Sequence, residues 1–178
     1  ALVRAYNQLH AKKYGDVCTE TQTLDEFFYP LDKIENWNRL YGRRGFLQWQ
    51  CVIPEAAGLE PVKAIFGQLQ QQGIGAYLAV AKMFGDPPVT GLLSFPQAGI
   101  TLALDFPNTG EALFRMLQRL DQIVLEAEGR LYPAKDARMS AAMFRASFPN
   151  WERFLPFIDP KISSSFSRRV LAPAIQYH

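Results

Sequence analysis

The stretch "GFLQWQCVIP", residues 45–54, alternates apolar and mixed positions with a period of two. One alternating set is Leu47, Trp49, Cys51 and Ile53, and the other is Phe46, Gln48, Gln50 and Val52. Because successive side chains of a strand point to opposite faces, this pattern predicts a β-strand with one apolar face and one face that carries two glutamines. The apolar face requires a covering layer, so this stretch decides the fold class.

Two predicted helices separate the predicted strands along the chain. Apolar residues spaced i, i+3, i+4 predict helices from about Gly58 to Gln72 and from about Thr109 to Glu128. The strand candidates are "AYLAVAKMF" (76–84), "LLSFP" (92–96, a short strand or its lead-in), "GITLALDFP" (99–107) and "RLYP" (130–133). The order strand, helix, strand, strand, helix, strand predicts an α+β fold in the split βαβ, ferredoxin-like order. In this order an antiparallel sheet carries its helices on one face.

Both ends of the chain lie outside this sheet unit. Residues 1–13 have helical spacing, the sequence is then polar and irregular to about Leu24, and a short helix is predicted to stop at Gly42. The predicted C-terminal helical tail has helices around Ser140 to Ala146 and Trp151 to Phe157 and an irregular basic segment, "SSSFSRRV", at 163–170.

The face of the sheet away from the helices has an unusual composition. It is predicted to carry Gln48, Gln50, Thr101 and Ala103, with Leu78, Val80 and Lys82 from the second strand, whose small Ala79 and Ala81 are predicted to lie under the helices. Amides, aliphatic side chains and one lysine together are typical of a ligand-binding floor. A solvated sheet face is the alternative, and the pattern alone leaves both open.

Composition excludes several classes of function. The 178 residues, 48% hydrophobic, suffice for one globular domain, and a net charge of +2 gives no reason to expect nucleic acid as a partner. No apolar run approaches the roughly 20 residues of a membrane span, and the first residues lack the order of a signal peptide, so a cytoplasmic chain is expected. Two cysteines and two histidines offer no disulfide framework and no metal site. The chain contains neither GxGxxG nor a P-loop.

Several short motifs together resemble a known family. They are "FFYPLDKIENWNRLYG" (27–42), "GFLQWQCVIP" (45–54), "LSFP" (93–96), "LDFP" (104–107) and "GRLYPAKDARMS" (129–140). The chain resembles, from about residue 2 to residue 169, the C-terminal half of FAD-linked sugar oxidoreductases of the vanillyl-alcohol-oxidase fold. The resemblance implies an FAD domain that precedes residue 1, which would explain the absent nucleotide loop.

The resemblance also implies a division of the chain and a reaction. Residues 1–24 would be a helix and linker from the FAD domain, 25–135 the substrate domain, and 136–178 a tail that packs back toward the FAD domain. The whole protein would oxidise a secondary alcohol of a sugar or polyol-like substrate by hydride transfer to FAD. The fragment alone would be inactive, and its exposed sheet face could drive self-association.

Site residues follow from the motifs that match the family. Lys135 matches the lysine of the family's "YxAKD" motif, beside flavin and substrate, and Tyr132 matches its tyrosine. Gln50, with its neighbour Gln48, matches the family's "Q-aromatic-Q" strand, and Lys82 matches a site lysine. Without the motif, Lys135 would be interpreted as a surface charge.

Two further positions depart from the family. Thr101 and Ala103 stand where the family has asparagine and cysteine, which puts a specific lipid-linked substrate in doubt.

Two other classes of function remain as rivals. One is a stand-alone, non-catalytic module that binds a small ligand or a protein. The other is RNA binding, which the lack of a basic, aromatic motif on the sheet disfavours.

Overall fold

The structure, a computed structural model, describes residues 5, 8–9, 11–12, 19–29, 35–86, 88, 91–135, 138–172 and 174–175. The chain divides into two compact units, 1–43 and 44–178. The division predicted above, with boundaries after residues 24 and 135, stays a prediction.

The first unit contains short helical pieces. Helix α1 spans Leu24–Phe28 and begins with a capping box, in which the Thr23 side chain accepts from the Glu26 amide and the Glu26 side chain accepts from the Thr23 amide. A 3-10 helix, Trp37–Tyr41, ends at Gly42, as predicted. Residues 5, 8, 9, 11 and 12 are helical, and the remainder of the predicted first helix lies outside the described residues.

The second unit is built on a four-stranded sheet. Its strands are β1 (Phe46–Pro54), β2 (Leu78–Phe84), β3 (Gly99–Pro107) and β4 (Arg130–Leu131), in the order β2-β3-β1-β4. All three neighbouring pairs are antiparallel. The predicted α+β class and split βαβ order are confirmed, but "LLSFP" forms a turn and a loop instead of a strand.

The strand register confirms most of the predicted faces. Gln50 lies opposite Ala103, which lies opposite Val80, so these three residues share one face of the sheet. Thr101 pairs with Lys82 on the same face. The alternate residues of β1 and β3, among them Trp49, Cys51, Ile53, Leu102, Leu104 and Phe106, are buried in the core.

Two helices cover this buried face. Helix α2 spans Glu60–Gln72, and helix α3 spans Glu111–Glu126. The buried residues of α3 are Leu113, Met116, Leu117, Leu120 and Val124, at the spacing that predicted the helix. Helix α3 packs on β1 and β4, and α2 packs on α3.

The helical layer does not extend over strand β2. Ala79 and Ala81 were predicted to lie beneath the helices, and this is wrong, because both are exposed. Met83 on the same face of β2 is also 68% exposed. Strand β2 is the outer strand of the sheet, where small side chains do not need a partner layer.

The C-terminal tail folds as three helices. They are α4 (Ala141–Ser147), α5 (Trp151–Phe154), which continues as the 3-10 turn Leu155–Phe157, and α6 (Ser165–Leu171). The segment "SSSFSRRV" was predicted to be irregular, and this is wrong. The Ser164 side chain caps α6 by accepting from the Ser167 amide at 3.0 Å.

Helix α6 is fastened to the rest of the tail. Val170 and Leu171 are buried in the core. Arg169 Nε donates to the carbonyl of Met139 at 2.9 Å, and Arg145 Nη2 donates to the carbonyl of Ala172 at 3.3 Å. Among the described residues, the helices are all too short or too polar to cross a bilayer.

Candidate functional site

A cleft lies beside the outer edge of strand β1. Strand β4 pairs with β1 only at Cys51 and Val52, so the first half of β1 extends past the end of β4. The empty volume of the cleft is about 350 Å³, including space open to solvent. Its lining comprises Leu47, Gln48, Trp49, Gln50, Leu117, Asp121, Leu131, Tyr132, Lys135, Arg138 and Met139.

Four of the predicted site residues line this cleft together: Gln48, Gln50, Tyr132 and Lys135. The backbone brings them into proximity, because the Tyr132 amide donates to the Gln50 carbonyl at 2.9 Å. A 3-10 turn, Pro133–Lys135, follows, and the Lys135 amide donates to the Tyr132 carbonyl at 3.2 Å. The chain therefore turns back toward β1 immediately after β4 and places Lys135 at the cleft.

Thr101 is not part of the cleft lining but holds the Gln50 side chain, which is. Its hydroxyl accepts a hydrogen bond from Gln50 Nε2 at 3.1 Å and donates to the carbonyl of Cys51 at 2.8 Å. Thr101 is only 3% exposed, so it orients the Gln50 amide and does not itself face the cleft. Ala103, opposite Gln50, is half-buried and is also outside the cleft lining.

Lys82 is placed apart from the other predicted residues. It is exposed on β2, the strand at the opposite edge of the sheet from β4. Three strand spacings separate β2 from β4, which is roughly 14 Å. The structure therefore brings Lys135 to the cleft but not Lys82.

A buried phenylalanine covers one end of the sheet face that lies away from the helices. Phe95, in the loop after β2, stacks on Tyr132 with ring centroids 4.7 Å apart and contacts Phe84 at 6.2 Å. Arg130 Nη1 donates to the carbonyls of Ser94 and Pro96 at 3.1 and 3.3 Å, which fastens this loop. Partial burial lowers the pKa of the Arg130 guanidinium. The face predicted to be open is thus covered at this end.

Sequence reasoning missed a charged network in the cleft wall. Asp121 accepts from both terminal nitrogens of Arg138, at 2.6 and 2.9 Å, and from Trp49 Nε1 at 2.8 Å. One signal was present in the sequence. Asp121 lies four residues after Leu117 and three before Val124, so it occupies a position in the apolar stripe of α3. A carboxylate at such a position requires a partner.

The cysteines offer no reactive centre in the part of the chain that the structure describes. Cys51 is fully buried, and burial raises the pKa of its thiol well above the ordinary value, an effect that the backbone at Leu102 partly offsets. Cys18 lies outside the described residues. Within the described ranges, no group of three or more His, Cys, Asp or Glu side chains could hold a metal ion.

Comparison with known proteins supports the resemblance inferred from the motifs. The chain is 39% identical, over 168 residues, to decaprenylphosphoryl-beta-D-ribose oxidase of Mycolicibacterium smegmatis, which covers 92% of this chain and 36% of the oxidase. It is 28% identical, over 154 residues, to an uncharacterized protein in the mprA 5' region of Streptomyces coelicolor, covering 83% of this chain and 41% of that protein. No family model matches the chain. The chain thus spans less than half the length of either relative, and the likeness to an oxidase, which the motifs predicted, is confirmed.

Proposed function

We propose that this chain supplies the substrate-binding part of a flavin-dependent oxidoreductase that oxidises a secondary alcohol of a sugar or polyol-like substrate. The observation that carries the proposal is the meeting of Gln48, Gln50, Tyr132 and Lys135 in one cleft. Strand pattern places the two glutamines on one face, and the family resemblance implies all four residues. The similarity to an oxidase whose name includes a ribose supports the same class of substrate.

The chemistry of the cleft's donor groups suits a flavin. Two cationic side chains line it, but Arg138 is held in a bidentate pair with Asp121, so we assign to Lys135 the positive charge that faces the reactants. When bound, FAD would accept the hydride from the alcohol carbon, and the hydroxyl proton would leave to water or to a hydrogen-bonding group of the cleft. An ammonium group nearby would stabilise the negative charge that a reduced flavin carries.

The remaining groups of the cleft would bind and orient the alcohol. The Tyr132 hydroxyl can donate and accept, and the Gln50 amide can do both through its two ends. Thr101 fixes the Gln50 amide with a 3.1 Å hydrogen bond, and Phe95 fixes the Tyr132 ring by stacking. Their orientation is therefore set before the substrate arrives, which reduces the entropy cost of reaching a reactive geometry.

The substrate class that we propose is broader than the substrate named for the relative. Thr101, which replaces the family's asparagine, is buried and uses its hydroxyl within the sheet. Ala103, which replaces the cysteine, offers no polar group. We therefore propose a sugar or polyol-like alcohol without requiring a lipid-linked ribose.

FAD itself would be bound mainly by another domain of the same polypeptide, which would be the principal partner of this chain. The sequence here has no phosphate-binding loop of the GxGxxG or P-loop type. Self-association through the sheet face is expected to be a property of the isolated fragment only.

The test is a comparison of two lysine variants in the polypeptide encoded by the natural reading frame. With a panel of sugar alcohols, the wild-type flavin absorbance near 450 nm should bleach under anaerobic conditions, and Lys135→Met should reduce the bleaching rate by about 100-fold or more. Lys63→Met is the matched control, because Lys63 is an exposed lysine on α2 and, within the described ranges, its ion pair is with Glu60 of the same helix.

Two results would contradict the proposal. One is a colourless protein with no flavin in its natural form, which would favour the stand-alone ligand-binding or protein-binding module. The other is a yellow protein whose bleaching is equally fast in Lys135→Met and Lys63→Met. Chemistry at this cleft would then not depend on the lysine.

A further inference from the structure

The wall of the cleft contains a hydrogen-bonded network that no motif identified. Asp121 in α3 accepts three hydrogen bonds, two from Arg138 and one from the Trp49 indole. The Arg138 and Asp121 side chains are only 17% and 14% exposed. A two-pronged pair between a guanidinium and a carboxylate fixes the orientation of both groups, and little water is present to compete for these bonds.

Hydrogen bonds anchor the described residues on both sides of Lys135. At its start, the Tyr132 amide is bonded to the Gln50 carbonyl on β1. At its end, Arg138 is bonded to Asp121, and Arg169 donates to the Met139 carbonyl at 2.9 Å. Lys135 lies between these two anchors, and its own amide is bonded to the Tyr132 carbonyl.

We infer that Asp121 is a positioning residue for Lys135, acting through Arg138 and with Trp49 as its second support. This inference rests on the proposed function. Asp121 does not need to touch the substrate. Its carboxylate holds the far end of the segment against α3 and β1, so that the Lys135 ammonium stays at the cleft. A displacement of about 1 Å at a reacting group can cost about 100-fold in rate, so this support is expected to matter for turnover.

Substitutions can separate the parts of the network. Asp121→Asn keeps an oxygen that can accept from Trp49 but presents an amide N–H group to the Arg138 guanidinium, which has no acceptor. Arg138→Lys keeps the positive charge and loses the two-pronged geometry. Glu126→Gln is the matched control, because Glu126 is an exposed carboxylate on the same helix and, among the described residues, accepts from Gln122 in the preceding turn.

The first measurement requires neither flavin nor turnover. Hydrogen exchange of the full-length polypeptide is followed by mass spectrometry in the peptides that cover residues 131–139. Asp121→Asn and Arg138→Lys should raise exchange at the Tyr132 and Lys135 amides by about tenfold or more, with α2 unchanged. Glu126→Gln should match the wild type. Unchanged exchange over 131–139 in both network variants would overturn the inference.

The second measurement is a double-mutant cycle on kcat. Asp121→Asn alone should lower kcat about 10- to 100-fold with a smaller change in KM. In a Lys135→Met background the same substitution should have almost no further effect, because the group that it positions is gone. An equal loss of kcat in both backgrounds would mean that Asp121 supports the fold generally, and the inference would be wrong.

The two proposals fail in different ways. If Lys135→Met leaves turnover and flavin absorbance unchanged, the proposed function is contradicted. Faster exchange over 131–139 in Asp121→Asn would in that case still establish that Asp121 positions the segment. If Lys135→Met abolishes turnover while Asp121→Asn exchanges and reacts as the wild type does, only the positioning role is overturned. Arg138→Lys serves as the second variant if Asp121→Asn folds poorly.

Discussion

The two outer edges of the sheet place two similar side chains in different surroundings. At the β4 side, Lys135 lies half-buried in a cleft, between a strand-to-strand hydrogen bond and the Asp121–Arg138 pair. At the β2 side, Lys82 is exposed on a strand that the helices do not cover. The sequence motifs predicted both lysines to be site residues. The contrast teaches that a motif match locates a residue in the chain, whereas the layer packed around it determines whether the residue is held.

The largest difference between the edges should be in stability. Trp49, beside β4, is 4% exposed and donates to Asp121, whereas Met83 on β2 is 68% exposed on the same face of the sheet. Trp49→Ala should lower the free energy of unfolding by about 3–5 kcal/mol. Met83→Ala should change it by less than about 0.5 kcal/mol. Urea denaturation measures the unfolding free energy of both variants. Similar losses of stability in the two would contradict the predicted difference between the edges.

Strand β1, between the edges, should make stability depend on alkaline pH. Burial raises the pKa of the Cys51 thiol above its ordinary 9.0, so the folded state holds this proton more tightly than the unfolded state does. The protonated Cys51 thiol therefore contributes its full stabilisation to the folded state below about pH 9, and this stabilisation is lost as the pH rises above 9. The loss should approach about 1.4 kcal/mol per pH unit.

A cysteine variant isolates this effect. Cys51→Val removes the thiol, so the difference in unfolding free energy between wild type and variant should decrease from pH 8 to pH 10. A constant difference over this range would mean that the thiol is not desolvated in the folded protein.

The hydrogen bond behind the cleft should have a smaller effect. Thr101→Val removes the hydroxyl that accepts from Gln50 and donates to the Cys51 carbonyl. We expect a loss of about 1 kcal/mol in unfolding free energy and a higher KM, because Gln50 is no longer oriented. Thr101→Ser keeps the hydroxyl and should retain the wild-type KM. If both variants raise KM equally, loss of the hydroxyl does not explain the effect.

The smallest effect is expected at the β2 edge. Lys82→Met should leave kcat within about twofold and stability within about 0.5 kcal/mol of the wild type, with a moderate rise in KM if a long substrate reaches this strand. Steady-state kinetics on the full-length protein measure both constants. A loss of kcat as large as that of Lys135→Met would make the two edges equivalent and contradict the comparison.

Periodicity predicted the parts of the fold in which local pattern and packing agree. The two-residue period of β1 and β3 predicted their faces, and the apolar stripe of α3 predicted its position to within about two residues. Helix α6 was missed because a seven-residue segment rich in serine has weak helical preference. Its stability comes from its capping box and from the burial of Val170 and Leu171, which depend on the folded tail.

Sequence pattern and motifs predicted only part of the cleft lining, and they did not predict the side chains that support it. Gln48, Gln50, Tyr132 and Lys135 were named from strand parity and short motifs, and they line one cleft. The bonds of Asp121 join residues 17 and 72 positions apart, and no local pattern predicts such pairs. The covering of the second sheet face by Phe95 was also not predicted, because the segment around it was interpreted as a strand.

The fastening of helix α6 also suggests where this chain can be cut or extended. Residues 159–164, just before α6, are all exposed, whereas Val170 and Leu171 are buried and Arg169 binds the Met139 carbonyl. A single protease nick in this turn should therefore leave two pieces that remain associated after gel filtration. The same turn should accept an inserted reporter domain, and the two pieces could be produced separately as a complementation pair.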